Sequence, residues 1–351
     1  MKSHDAHKRE CRVLFIGPFP PPLGGAIVES LTLWNYLQVH SDVNVIRIRT
    51  NTTIPRRCLF PMIFIKALVK VDSVFIYGSH RGISRLSVML VPLIRLFKRK
   101  CVIKITGGNF WEYYLESGAL WRYTLAKTLF SQHVLLETHY QVDRFSKQYN
   151  GVSWFPMTRD LIELSSDMNK ESEVVSNSDN NVGQPLKVAF FGHIRKTKGV
   201  PELIDASKEL QDIEIDAYGQ FIGLDESVFA DGLVNYKGVV QPDEVFSTMR
   251  QYDVLVLPTY YPGEGYPGVI IEAKKAGLAV VSTEWRSIPE IVNDGTDGIL
   301  IATKNSMALA SALRRLNHNR ELLASMKAES AQSFAKFDTQ LWGEKLVEYL
   351  R

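Results

Sequence analysis

Short apolar runs alternate with longer amphipathic stretches along almost the whole chain, and this alternation restricts the fold more than any other feature. In the first half the runs are Arg12–Ile16, Val43–Ile48, Ser73–Tyr77, Cys101–Ile105, His133–Leu136 and Val152–Phe155. Helix-period stretches lie between them, among them Ala26–Val39, Ile83–Phe97 and Leu120–Phe130. Strands that are apolar on both faces, joined by helices, build a parallel sheet covered on both sides. The texture then changes, and residues 161–185 are rich in Ser, Asn, Asp and Glu, as in a polar linker. A second series follows at Lys187–Phe191, Ile213–Tyr218, Val234–Tyr236, Asp253–Leu257, Leu278–Ser282 and Gly298–Ile301, and the tail from Ser306 has a helical pattern. The expected fold class is α/β, with two Rossmann-like doubly wound domains facing a central cleft. The spans expected are 1–160, a linker at 161–185, 186–336, and a last helix at 337–351.

The net charge of +3 conceals an asymmetry. Residues 1–160 hold 22 Lys and Arg against 10 Asp and Glu (+12), and residues 161–351 hold 19 against 28 (−9). A basic first half suits an anionic surface. Its basic residues flank two short apolar segments: Arg56 and Arg57 precede Leu59–Val69, and Arg81, Arg85, Arg95, Lys98, Arg99 and Lys100 border Leu86–Phe97. Such segments fit docking onto anionic lipid, and neither reaches the ~20 apolar residues of a membrane span. No helix-turn-helix or ribonucleoprotein motif directs the charge to nucleic acid. The three cysteines, Cys11, Cys58 and Cys101, are far apart and form no C-x-x-C pair. That pattern fits a reducing cytosol better than a disulfide framework. The N-terminus lacks the apolar core of a signal peptide. The eight histidines have no metal-ligand spacing, and no metal or other cofactor is expected.

The densest chemistry lies in residues 263–290, GEGYPGVIIEAKKAGLAVVSTEWRSIPE. Pro267 and Gly268 open a helix after a Gly/Pro-rich loop, and the N–H groups of Gly268 and Val269 at its start suit a phosphate. Glu264 and Glu272 flank that start. Carboxylates there suit hydroxyls, so the pair describes a phosphate with hydroxyl-bearing groups on either side, as in a nucleotide sugar. The same letters, Gly263 to Gly268, also read as G-x-G-x-x-G, with Glu284 about twenty residues on as in a dinucleotide site. Against that reading, Pro258–Pro262 separates the strand from the first glycine, and Glu264 would crowd a pyrophosphate.

Residues 190–199, FFGHIRKTKG, end a strand at Gly192 and place Arg195, Lys196 and Lys198 before a helix. Cations at a helix start oppose its macrodipole unless an anion sits among them. Arg as a fork and Lys as a point charge both suit a diphosphate. In the first half, IGPFPPPLGG brings Gly24 and Gly25 to a strand-to-helix loop, where the backbone can come close to a ligand. Gly107 and Gly108 do so after the fourth strand. His80 follows the third strand and is a candidate for acceptor contact, whereas His133 and His139 read as structural, and Arg159 reads as a surface residue.

The Glu264-x7-Glu272 spacing, Gly277, the strand after it and Ile288-Pro289-Glu290-Ile291 resemble glycosyltransferase family 4, the retaining GT-B enzymes. The resemblance implies that Glu272 holds ribose hydroxyls, that Glu264 contacts or orients the donor sugar, and that Gly268 and Val269 meet the phosphates. The family loop G-R-L-x-x-x-K-G matches at Gly192, Lys198 and Gly199. Its arginine position is His193 here, with Arg195 two residues later, so either could take that role. Thr106 stands where many relatives carry histidine, and Phe155–Arg159 lacks the Asn and Gly of the family's hinge.

The resemblance further implies a metal-independent transfer in which the acceptor attacks from the leaving-group face, a phosphate oxygen helps to take its proton, and the domains close. The expected partners are a nucleotide-sugar donor, a glycan acceptor of the polyprenyl-diphosphate-linked kind used in bacterial surface polysaccharide synthesis, and an anionic membrane surface. The expected place is cytoplasmic, on the inner face of the cytoplasmic membrane. Two other readings stay open: an NAD(P)-dependent oxidoreductase using Gly263–Gly268, and a non-catalytic sugar-nucleotide-binding protein.

Overall fold

The computed structural model describes residues 10–21, 24–51, 60–159 and 184–351. The expected polar linker therefore lies almost wholly outside the described residues, as do Arg56, Arg57 and Cys58. The chain divides into two compact units. One comprises residues 1–160, 263–268 and 337–351, and the other 161–262 and 269–336.

The first unit contains strands β1 (Cys11–Gly17), β2 (Val43–Arg49), β3 (Ser73–Ser79), β4 (Lys100–Thr106), β5 (His133–Leu136) and β6 (Val152–Trp154). Among the described residues they form one sheet in the order β2-β1-β3-β4-β5-β6, with every pairing parallel. Its helices are α1 (Gly25–Val39), α2 (Phe60–Leu68), α3 (His80–Leu96), α4 (Phe110–Glu116), α5 (Ala119–Lys127) and α6 (His139–Phe145).

The period-2 pleat sends alternate side chains of each strand into different cores. Leu14, Ile16, Val74, Ile76, Ile103 and Ile105 pack with residues of α2 to α6. Val13, Phe15, Phe75, Tyr77 and Val102 pack with Leu33, Trp34 and Leu37 of α1. That second core also takes Trp342, Leu346, Val347 and Leu350 from the terminal helix Thr339–Leu350.

The second unit repeats the plan with β7 (Leu186–Phe191), α7 (Val200–Ser207), β8 (Ile213–Tyr218), β9 (Asn235–Tyr236), α8 (Val245–Met249), β10 (Val254–Leu257), α9 (Gly268–Lys275), β11 (Ala279–Thr283), β12 (Gly298–Ile301), α10 (Ser306–His318) and α11 (Arg320–Ser333). Its strand order is β12-β11-β10-β7-β8-β9, again parallel. The order reverses between β7 and β10 here and between β1 and β3 in the first unit. Ligands of open α/β sheets bind outside the carboxyl ends of the strands at such switch points. The terminal helix, α12 (Thr339–Leu350), completes the numbering.

Among the described residues no helix is long and apolar enough to cross a membrane. Helix α2 nevertheless turns Met62, Ile63, Ile65, Lys66 and the following Val69 and Lys70 to solvent, with Met62 50 % exposed. Helix α3 exposes Met89, Leu96, Arg81, Arg85 and Arg95. Two cations of this group have structural partners. Arg99 donates to the Leu68 and Val69 carbonyls at the end of α2, and Arg95 donates to the Lys127 carbonyl.

Candidate functional site

In the second unit the switch point joins the loops that follow β7 and β10. After Gly192, residues Lys196–Lys198 form a single 3-10 turn, and Gly199 leads into α7. The Thr197 carbonyl accepts from the Tyr260 N–H at 2.9 Å and from the Thr259 hydroxyl at 3.3 Å, so the two loops lie side by side. The strand β11 fixes the second loop from below. Ser282 Oγ donates to the Leu257 carbonyl and Thr283 Oγ1 to the Thr259 carbonyl, and Trp285 Nε1 donates to the Tyr261 carbonyl.

The outcome is that Arg195 and Lys198 share one ring: the Arg195 guanidinium lies 4.8 Å, and Lys198 Nζ 5.5 Å, from the Tyr261 centroid. Such contacts hold cations in place. His193 is exposed beside this pair. Gly268, Val269 and Glu272 are half-buried in the first turns of α9. The helix is fixed at its other end by the fully buried Lys274, which pairs with Asp297 at 2.8 Å and donates to Ser333 Oγ.

The first unit's carboxyl edge is built differently, around buried charge. Lys104, in the middle of the apolar β4, pairs with Glu29 of α1 and donates to the Pro156 carbonyl at 2.8 Å. Glu29 also accepts from Tyr77 Oη at 2.7 Å and from the Thr158 N–H at 2.8 Å. Burial pulls the Lys104 ammonium below its usual range and pushes the Tyr77 phenol well above it. Glu137, one residue beyond β5, is 1 % exposed. Burial, then Glu29, pushes its carboxyl up to about 7. Its two oxygens accept the Gly107 N–H at 3.0 Å and the Tyr266 N–H at 2.5 Å.

Tyr266 belongs to the 263–268 loop, which packs within this first unit. The Gly108 N–H donates to the Gly263 carbonyl. A Cβ at Gly108 would overlap the Glu264 carbonyl, and one at Gly265 would overlap the Glu137 carboxylate. These glycines permit backbone contact with protein. That accounts for the G-x-G-x-x-G letters without a dinucleotide, whose pyrophosphate would meet the Glu137 carboxylate at Gly265. Glu264 itself is buried at 7 % exposure.

Gly24 and Gly25 precede and open α1 beside β1, at this unit's own switch point, and His80 follows β3 at the same point. His80 is buried, stacked with Phe110 and 5.0 Å from the Tyr113 ring centroid, and its Nε2 has no partner among the described residues. Burial, then Arg81, lowers its pKa to about 4, so the ring is neutral at pH 7.

One expectation is overturned. Arg159 is not a surface residue but 2 % exposed, with its guanidinium donating to the Gly25 carbonyl at 3.2 Å and to the Thr158 carbonyl at 3.1 Å, directly against Gly268. Its partner carbonyl lies 134 residues away in sequence, and nothing local announces that contact. His133 packs tilted against Tyr349, and His139 stacks on Trp154. Glu29, Lys104 and Glu137 were missed at the level of sequence. The available signal was a charge inside or just after an apolar run. Among the described residues no group of three or more His, Cys, Asp or Glu side chains is gathered as a metal would require.

Comparison with known proteins gives one concordant result. Residues 185–319 match the family described as glycosyl transferases group 1. The amylovoran biosynthesis glycosyltransferase AmsK of Erwinia amylovora is 26 % identical over 182 residues, 48 % of this chain and 45 % of that protein. The N,N'-diacetylbacillosaminyl-diphospho-undecaprenol alpha-1,3-N-acetylgalactosaminyltransferase of Campylobacter jejuni is 26 % identical over 117 residues, covering 33 % of this chain and 30 % of that protein. The chain thus spans about half or less of the length of these curated relatives. Among solved structures, Anabaena HepE in complex with UDP superposes with a TM-score of 0.73 at 13 % identity, covering 97 % of this chain and 99 % of that one. Sucrose-phosphate synthase from Thermosynechococcus elongatus gives 0.69 at 15 %, covering 97 % and 98 %. At such identities the likeness is one of fold, and the two α/β units are those of the GT-B class.

Proposed function

We propose that the chain, whose residues 185–319 match the group 1 glycosyl transferases, transfers a sugar from a nucleotide-sugar donor to a glycan acceptor with retention at the anomeric carbon. The observation that carries this reading is the pair Arg195 and Lys198 over the Tyr261 ring, beside the switch point of the second sheet. A nucleoside diphosphate laid there meets two cations, and Val269 in the first turn of α9 offers it a backbone N–H. As the sugar–phosphate bond breaks, negative charge grows on the diphosphate, and donors already aimed at it lower the barrier without reorganisation. Arg195, which shares the ring with Lys198, takes the family's arginine role in preference to His193. Glu272 takes the ribose hydroxyls and Glu264 orients the donor sugar. No side chain is required as the base, because a phosphate oxygen of the leaving group takes the acceptor's proton. The cations present suffice for the diphosphate, so the reaction is proposed as metal-independent.

On the acceptor side, the proposal uses Gly24, Gly25, Gly107, Gly108 and the neutral His80 at the carboxyl edge of the first sheet. A polyprenyl-diphosphate-linked glycan is the proposed acceptor, supported by the exposed apolar and basic side chains of α2 and by the undecaprenol-linked substrate in the name of the Campylobacter relative. The protein would then work on the inner face of the cytoplasmic membrane.

A thermal-shift screen against UDP-, GDP- and ADP-sugars tests the donor site. One nucleotide should raise the melting temperature, and Lys198→Ala should weaken its affinity about 10- to 100-fold, as expected for loss of a charge-assisted contact. No shift with any of the three would refute the site. Vesicles test the surface: anionic phosphatidylglycerol vesicles should retain the protein at low salt, whereas equal recovery on neutral phosphatidylcholine would refute the membrane contact.

A further inference from the structure

Glu137 is not used by the mechanism above, yet it is among the most costly residues in the first unit. A carboxylate buried beside a second one, Glu29, is disfavoured by both burial and repulsion, and its raised pKa records that cost. An apolar residue would fill the space without it. What the carboxylate supplies is an acceptor on each oxygen, and each is aimed at a different backbone N–H. One N–H belongs to Gly107, in the loop that closes β4. The other belongs to Tyr266, two residues after Glu264 and two before Gly268.

Further contacts converge on the same two loops. The Gly107 carbonyl accepts from Gln141 Nε2 at 2.8 Å, and Gly108 and Gly263 are joined through their backbones. The Tyr266 ring packs edge-on against Phe337. The charged neighbours of Glu137 have other work: Lys104 is held by Glu29 and the Pro156 carbonyl, and Arg159 donates to backbone carbonyls. Both Glu137 oxygens thus accept from the loops.

We propose that Glu137 is a positioning residue, fastening the 263–268 loop to the 106–108 loop so that Glu264 is held in place before substrate arrives. The proposal rests on the glycosyltransferase reading for what that loop does, but the fastening itself can be measured without any substrate. In Glu137→Gln one oxygen remains an acceptor, and the new NH2 faces an N–H that it cannot bond. In Glu137→Ala both acceptors are lost.

Hydrogen exchange read by mass spectrometry on the full chain should show the peptide covering 263–268 exchanging about 10-fold faster in Glu137→Gln and about 100-fold faster in Glu137→Ala, as expected for the stepwise loss of bonds to a charged acceptor. The peptide covering β3 should not change. UDP affinity and hydrolysis of UDP-glucose should both fall in the same order as protection is lost, with UDP binding reduced rather than abolished because Lys198 and Arg195 are untouched. Unchanged exchange at 263–268 in both variants would overturn the proposal. So would a rise in β3 as large as that in the loop, which would mark Glu137 as a general stabiliser. Should the variants fail to fold, Gly265→Ala leaves Glu137 in place and forces a methyl group onto its carboxylate. Faster loop exchange there supports the fastening, and unchanged exchange refutes it. Absence of UDP binding and of UDP-glucose hydrolysis in the unaltered protein, with the exchange pattern intact, would refute the donor assignment and leave the fastening standing.

Discussion

The carboxyl edges of the two sheets treat charge in opposite ways. In the first unit Lys104, Glu29, Glu137 and Arg159 are all buried, and each makes hydrogen bonds to other protein groups. In the second, Arg195 and Lys198 stay half-buried over an aromatic ring. Charges turned to backbone groups fix the first edge, whereas the second sets two cations side by side on one ring. The comparison teaches that the first edge is rigid by construction, and under the proposed function the second is the receptive one.

The largest test of that contrast is the buried pair. Glu29→Ala leaves Lys104 charged and unpaired, and should lower stability by about 3–5 kcal/mol in urea unfolding. Glu29→Leu combined with Lys104→Met should recover most of the loss. Lys198→Ala, at the receptive edge, should change stability by under about 0.5 kcal/mol. If Lys198→Ala destabilises as much as Glu29→Ala, the contrast fails.

Next in size is pH. The folded-state pKa of Glu137 is raised above its ordinary value of 4.5 to about 7. Its contribution to stability is therefore fully present below about pH 4.5 and is lost as pH rises through about 7. Glu137→Gln should flatten that decline by about 3 kcal/mol, read as the difference between urea midpoints at pH 4.5 and 8. An unaltered slope would show that the carboxyl is not buried in solution. The smallest effect belongs to the ring: Tyr261→Leu should weaken nucleotide affinity only about two- to fivefold, for cation–ring contacts of about 0.5–1 kcal/mol. A loss as large as that of Lys198→Ala would make the ring itself a ligand contact.

The strands were legible because buried strands are written as short apolar or alternating runs between helical stretches: His133–Leu136, Ile213–Tyr218 and Gly298–Ile301 begin and end where the sequence pattern places them. The helix opening at Gly268 was legible for a similar local reason, the preceding proline. The buried network was not. Lys104 stands out within CVIKIT as a charge in an apolar strand, but its partner Glu29 is 75 residues away on a helix whose polar and apolar positions do not separate into faces. Arg159 misled for the same reason, since one of its carbonyl partners, that of Gly25 at the start of α1, is 134 residues away. The glycines of 263–268 were legible as close-approach positions, but what approaches them is protein.

Helix α12 carries a consequence for synthesis. Trp342, Leu346, Val347 and Leu350 complete, together with α1, the cover on one side of a sheet whose strands, among the described residues, all lie within the first 154 residues. A ribosome releases those strands and α1 well before α12, so the part of that side under α12 stays open to water, or to a chaperone, until translation has passed residue 350. A core begun by the first strands thus waits for a helix made much later.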